Sequence, residues 1–193
     1  EAGGEARSWV CDVTDEAAVV QVFDAVAEAF GGIDILINNA GTARRDPAES
    51  MPTETWDFII SVNQTAVFVC SREAGKRMLA NGKGAIVNIA SIMGLSGGGF
   101  YPNLPYHASK GAVVNMTRSL AAEWASRGVR VNAIGPTFTE TDLTIPLRTN
   151  NASKTYVEER TPMGRFAQPE EMAGAILYLA SDAASAVTGV TLP

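Results

Sequence analysis

Ile33-Asp34-Ile35-Leu36-Ile37-Asn38-Asn39-Ala40-Gly41 is the stretch on which the fold turns. Its aliphatic half predicts a short buried strand, and Asn-Asn-Ala-Gly ends that strand abruptly in small, turn-forming residues. On its N-terminal side, Val19, Val22, Phe23, Val26 and Phe30 recur at helical spacing until Gly31-Gly32 stops them. Asp12-Val13-Thr14-Asp15-Glu16 supplies the cap and acidic first turn for that helix, and Ser8-Trp9-Val10-Cys11 before it has strand character. On the C-terminal side a long helix is predicted from about Thr53 to Leu79, then a strand over Ala85 to Ala90. A glycine-rich loop leads to a helix from about Tyr106 to Arg127, a strand over Val129 to Ile134, a helix near Pro169 to Ser181 and a last β run near Val187 to Leu192. Short aliphatic strands alternating with helices predict an α/β fold, a parallel sheet covered on both faces. No repeat, low-complexity segment or linker divides the chain, so residues 1–193 are expected to form one domain.

The composition excludes several classes of function. The chain has 193 residues, 46% hydrophobic and 19% charged, which suits a packed core. Fifteen Lys and Arg against 21 Asp and Glu leave a net charge of −6, the wrong sign for nucleic acid or an anionic membrane. The apolar run Ala173 to Ala180 is far shorter than the ~20 residues of a membrane span. Cys11 and Cys70 form no CxxC pair, no cluster has metal-ligand spacing, and nothing at Glu1 resembles a signal peptide. A cytoplasmic protein without a metal is expected.

In an open parallel sheet, ligands bind at the carboxyl ends of the strands. Just there the sequence places Asp12, Asn39 to Gly41, Ser91 and Pro136. Tyr106-His107-Ala108-Ser109-Lys110 sets a tyrosine and a lysine four apart on one helical face. A phenol with a pKa of about 10 is a poor base at neutral pH, and an ammonium beside it favours phenolate. Such a pair can exchange a proton with a carbinol oxygen, although Tyr and Lys at this spacing also arise by chance on amphipathic helices. Ser91, fifteen residues before Tyr106, can donate to a substrate oxygen or simply close a turn. Asn63 sits inside the long helix, where asparagine is a poor helix former, among Ile59, Ile60, Val62 and Val67.

Taken in order, Asp12-Val13-Thr14, Asn38-Asn39-Ala40-Gly41, Asn63, Ser91, Tyr106-x-x-x-Lys110 and Asn132 through Pro136 resemble the short-chain dehydrogenase/reductase family. The likeness continues through Pro162-Met163-Gly164-Arg165 and Gln168-Pro169-Glu170-Glu171 to Val187-Thr188-Gly189. It implies a Rossmann-like doubly wound sheet in three α/β/α layers and an NAD- or NADP-dependent oxidoreductase interconverting a secondary alcohol and a ketone. By the same resemblance, Tyr106 is the proton donor and acceptor, Ser91 polarises the substrate oxygen, and Lys110 lowers the phenol pKa and bonds the nicotinamide ribose. Asn63 positions a relay water. Asp12 and Val13 face the adenine, Asn39, Ala40 and Gly41 the ribose and nicotinamide, and Pro136, Thr139 and Thr141 the nicotinamide end.

The sequence also departs from the family. A TGxxxGxG strand-turn-helix, which binds the pyrophosphate, is not found before Asp12. In the family strand order 3-2-1-4-5-6-7, Ser8 to Cys11 would be strand 3, ~15 Å from the strand at Ile33 with nothing between. An additional N-terminal βαβ segment is therefore expected, and NAD cannot be separated from NADP without it. Gly94-Leu95-Ser96-Gly97-Gly98-Gly99 follows a strand, but Pro102 and Pro105 deny it an immediate helix, so it reads as a mobile substrate-side loop. Gly135-Pro136-Thr137 has threonine where the family usually has glycine, and His107 is read as a variable position in the motif. A polyol, sugar or sugar acid is the favoured substrate. Reduction of a 3-oxoacyl thioester is the alternative, disfavoured because an acidic carrier would meet an acidic protein. A catalytically silent dinucleotide-binding subunit is the rival from another class. Phe68, Met78, Val113, Met116, Leu120 and Trp124 exceed what one sheet face needs, which suggests a homotetramer or dimer.

Overall fold

In the computed structural model, which describes residues 3–98 and 100–193, the aliphatic run after Ile33 becomes strand β1 (Ile35–Asn38). It is joined by β2 (Gly84–Ile89), β3 (Val129–Ile134) and a short β4 (Thr191–Leu192) in the order β1-β2-β3-β4, every pair parallel. Parallel neighbours require long crossovers, and helices provide them. Before β1 comes α1 (Glu16–Phe30), with the Asp15 carboxylate accepting the Ala17 and Ala18 amides at 2.9 and 3.2 Å. Between β1 and β2 lie α2 (Thr53–Ile60) and α3 (Ala66–Asn81), and between β2 and β3 lies α4 (Leu104–Trp124). Three helices, α5 (Ile145–Arg148), α6 (Asn151–Arg160) and α7 (Pro169–Ala180), separate β3 from β4.

Alternation along the strands sorts their side chains onto two faces. Ile86, Val129 and Val131 pack with Val19 and Phe23 of α1, Met78 of α3 and Trp124 of α4. Val87 and Ile134 point the other way, onto Leu179 of α7. The result is the expected Rossmann-like arrangement of helices on both faces of a parallel sheet.

Three local expectations are corrected and one is refined. Ser8 to Cys11 is not a strand: no ladder forms over these residues, Val10 is fully exposed, and Trp9 instead meets Phe30 edge-on at 6.3 Å. A strand exists only where a neighbour takes its N–H and C=O groups, and among the described residues β1 hydrogen-bonds to β2 alone. Pro105 does not delay the helix to Tyr106, since α4 starts at Leu104 with the proline in its first turn, where a missing N–H is harmless. The long helix runs as expected, continuous from Thr53 to Asn81, and is widened by a π turn over Ser61–Thr65 with Asn63 at its centre. The last β run shrinks to two residues, and the segment before it is held to β3 by two backbone bonds, Gly189 N–H to the Val131 carbonyl and Ala133 N–H to the Val190 carbonyl, both at 2.8 Å, together with side chains. The Asn132 amide donates to the Val187 carbonyl at 2.9 Å, and the Thr188 hydroxyl accepts the Val131 N–H at 3.0 Å.

One polar chain runs through the apolar layer between β1, β2, α3 and α4. The Asn38 amide donates to Ser71 Oγ at 3.0 Å and to Asn88 Oδ1 at 2.8 Å, and the Asn88 amide donates to Thr117 Oγ1 at 2.9 Å. All four side chains are buried. Burial strengthens such bonds and penalises any member left unpaired. Asn88→Leu keeps the branched outline of the side chain but orphans an Asn38 N–H, so it is expected to lower unfolding free energy by about 2 kcal/mol in urea titrations; an unchanged midpoint would contradict this role.

Candidate active site

The carboxyl ends of β1, β2 and β3 form one edge, and small or polar turns follow each strand there: Asn39 to Gly41, Ser91, and Gly135 to Thr137. The start of α4 is laid across this edge. Gly94 permits that approach, because a Cβ there would lie 2.6 Å from the Lys110 carbonyl oxygen. His107 fastens the same turn from the helix side, its Nδ1–H reaching the Met93 and Ser96 carbonyls at 2.9 and 3.2 Å. The glycine-rich stretch is thus a turn packed on α4 at its beginning and open at Gly97, while Gly99 lies outside the described residues.

Ser91 caps the turn Ile92–Gly94, its Oγ accepting the Met93 N–H at 3.1 Å. That leaves its O–H free to donate. Tyr106 stands one helical turn before Lys110 on α4, with the lysine ammonium 5.7 Å from the phenol ring centre. Lys110 is 4% exposed, and its Nζ donates to the Ile89 carbonyl at the end of β2 at 2.6 Å. Burial pushes this ammonium down to about 8. Burial likewise raises the Tyr106 phenol above its usual value, and hydrogen bonding to Ser91 acts in the opposite sense. The lowering of the phenol pKa expected from Lys110 is therefore not seen in this arrangement: desolvation outweighs a cation that is itself turned toward a backbone carbonyl.

Asn63 is fully buried, and its side chain is committed to the backbone of the turn after β1. Its Oδ1 accepts the Thr42 N–H at 2.8 Å, and its Nδ2 donates to the Thr42 carbonyl at 2.8 Å and to Ser109 Oγ at 3.2 Å. This locks the Asn39–Gly41 turn against α4: a Cβ on Gly41 would lie 3.6 Å from both Asn63 Oδ1 and Lys110 Nζ.

A cleft of about 540 Å³ opens on these groups. Of the residues selected from sequence, Asn39, Gly41, Ser91, Tyr106, Lys110, Pro136, Thr139 and Thr141 line it. Ala40 and Asn63 do not, and neither do Asp12 and Val13. Asp12 is exposed and turned inward on its own segment, with Oδ1 accepting the Thr14 N–H and O–H at 2.9 and 2.7 Å, bonds that lower its pKa. Pro136 ties two turns together, its carbonyl accepting the Ile92 N–H at 3.2 Å. Thr141 exchanges hydrogen bonds with Thr144 to cap the turn over Asp142–Thr144, and Thr139 gives its carbonyl to the Thr144 hydroxyl at 2.6 Å.

The rest of the lining comes from residues the sequence did not single out, including Arg45, Tyr101, Asn103, Phe138 and Leu147. Leu147, Val157 and Phe166 form a small core of their own there, with Phe100, Tyr101, Phe138 and Tyr156 around it. Arg45 lies over the Tyr101 ring at 4.6 Å. The only available signal was the Arg44-Arg45 pair shortly after Gly41 and the Asn103 three residues before Tyr106.

The sequence profile of the enoyl-(acyl carrier protein) reductase family matches residues 1–193. A D-threitol dehydrogenase of Mycolicibacterium smegmatis is 43% identical over 189 residues, covering 98% of this chain and 72% of that protein. A galactitol 2-dehydrogenase (L-tagatose-forming) of Cereibacter sphaeroides is 45% identical over 188 residues, 95% of this chain and 72% of the relative. The crystal structure of a gluconate 5-dehydrogenase from Burkholderia cenocepacia in complex with NADP and tartrate superposes with a TM-score of 0.90 at 36% identity, covering 94% of this chain and 70% of that one. A parallel sheet whose strand ends carry the serine, tyrosine and lysine of the motif, matched along its whole length by such relatives, places this chain in the short-chain dehydrogenase/reductase family.

Proposed function

We propose that residues 1–193 form one NAD- or NADP-dependent dehydrogenase domain that interconverts a secondary alcohol and its ketone on a small polyhydroxylated substrate. The observation that carries this reading is the convergence of Ser91, Tyr106 and Lys110 on one cleft at the carboxyl edge of the sheet. The residues present fit the nicotinamide end of the cofactor. Lys110 has three N–H donors and spends one on Ile89, leaving two for ribose hydroxyls beside the Gly41 backbone. Nicotinamide supplies hydride exchange with the substrate carbon. The chain's own residues supply the rest. The Ser91 O–H holds the substrate oxygen, and the Tyr106 phenol gives it a proton in reduction or takes one in oxidation. Lys110 presents its ammonium behind the phenol, and Asn63 holds the neighbouring turn in place.

The cleft wall favours a sugar, polyol or sugar acid over an acyl thioester. Asn103 offers an amide partner, and Arg45 offers a second cation suited to a terminal carboxylate. The two cysteines are free thiols, which suits a reducing cytoplasm, and no helix among the described residues is long and apolar enough to cross a membrane. We also propose self-association through α3 and α4. Of the apolar residues that suggested it, Met78, Val113 and Trp124 are buried in the core, but Phe68 is 45% exposed and lines a groove with Met116.

Tyr106→Phe is expected to lower turnover of a polyol by about 10²–10⁴-fold while leaving the affinity for NADH or NADPH, followed by fluorescence, nearly unchanged; turnover close to wild type would remove the mechanism. Lys110 gives a second test. Its pKa falls from 10.5 to about 8 on folding, so between those values the unfolded chain holds a proton that the folded chain lacks. Stability then rises with pH across that window. Measured by denaturation without added cofactor at pH 7.5 and 10, wild type should gain on Lys110→Met as pH rises, and a constant difference would contradict a destabilised ammonium. Light scattering is expected to return a multiple of the protomer mass; a monomer would overturn the proposed association.

A further inference from the structure

Asn103 occupies the N-cap of α4, the position where asparagine ordinarily accepts an N–H from the first helical turn. It makes no such bond here. The second residue of the helix is Pro105, which has no N–H, and the backbone at Asn103 (φ −160°, ψ 42°) is outside the usual cap conformation. The side chain is nevertheless 5% exposed and lines the cleft. Its Oδ1 is buried with no hydrogen-bond partner among the described residues. Buried amides without partners are rare in folded proteins because water has been removed and nothing replaces it. An amide held in this way at the wall of a binding cleft lacks a partner that a ligand can supply.

The position indicates which ligand group that is. Asn103 precedes Tyr106 by three residues, one turn along the same helix end, and the phenol of Tyr106 addresses the reacting oxygen. Pro102 and Pro105 on either side restrict the backbone, so the amide projects from a well-defined Cα position. A group bonded to Asn103 therefore sits on the carbon chain close to the reacting carbon. A hydroxyl both donates and accepts, so it can pair with either end of the amide. We propose that Asn103 recognises a second hydroxyl beside the reacting carbon, so that the site selects vicinal diols and α-hydroxy ketones over substrates with a single oxygen. This inference rests on the dehydrogenase reading above and names the substrate feature that reading leaves open.

The test is a comparison of butane-2,3-diol with butan-2-ol, which differ by one hydroxyl, using the full-length protein with its cofactor. Wild type is expected to favour the diol in kcat/KM by at least about tenfold, and Asn103→Ala to reduce that ratio by about 10–100-fold. A purely structural role would lower both substrates together and leave the ratio unchanged, which would overturn the proposal. Asn103→Thr keeps a hydroxyl-bonding group of similar size and is expected to retain part of the ratio even if the alanine variant folds poorly. Wild-type activity on both alcohols without preference overturns this inference alone. Activity on neither, with sugars and polyols also inert, overturns the dehydrogenase reading and this inference with it.

Discussion

The hydrogen-bond chain Ser71, Asn38, Asn88, Thr117 is the constraint from which the geometry of the site follows. It links one side chain from each of α3, β1, β2 and α4 inside an otherwise apolar layer. Asn38 and Asn88 are register partners in adjacent parallel strands, so their amides meet only when that register is correct. A slip of one strand by one residue would turn the two side chains to opposite faces of the sheet. Once α3 and α4 are seated in this way, Lys110 reaches the Ile89 carbonyl, Asn63 reaches Thr42, and the turn after β2 lies against α4 through Gly94. The proton-transfer groups are thus positioned by interactions one layer below them.

Much of this fold was legible in the sequence because its signals are local. The strands at Ile35–Asn38, Gly84–Ile89 and Val129–Ile134 are aliphatic runs bounded by turn residues, and Gly31, Gly82 and Gly128 end the elements before them in left-handed conformation. What could not be read is decided by neighbours. Ser8 to Cys11 has the composition of a strand, yet composition does not provide a ladder partner. The π turn at Asn63 depends on that asparagine being drawn to Thr42, 21 residues away in sequence. Helices α5 and α6 carry little apolar periodicity, since only Leu147 and Val157 within them are buried.

The site divides in the same way. Ser91, Tyr106 and Lys110 were identified from chemistry and spacing, and they line one cleft. Their protonation was not legible, because sequence reveals that a cation is near but not that both groups are buried. Desolvation acts on each in the direction of its neutral form, which leaves a phenol and a destabilised ammonium side by side. That is a suitable resting state for donating a proton to a ketone, and alcohol oxidation requires the phenol to lose one first. Arg45 and Asn103 stayed hidden because their importance comes from the cleft they help to line, which only the folded chain assembles.

The central claim is that one substrate oxygen is held jointly by Ser91 and Tyr106 in this cleft. A crystal structure of the full-length protein with a nicotinamide cofactor and a polyol tests it most directly. The account predicts a carbinol oxygen within hydrogen-bonding distance of both the Ser91 hydroxyl and the Tyr106 phenol, with Lys110 Nζ on the ribose. A polyol bound elsewhere, or one whose oxygens contact neither hydroxyl, would contradict it.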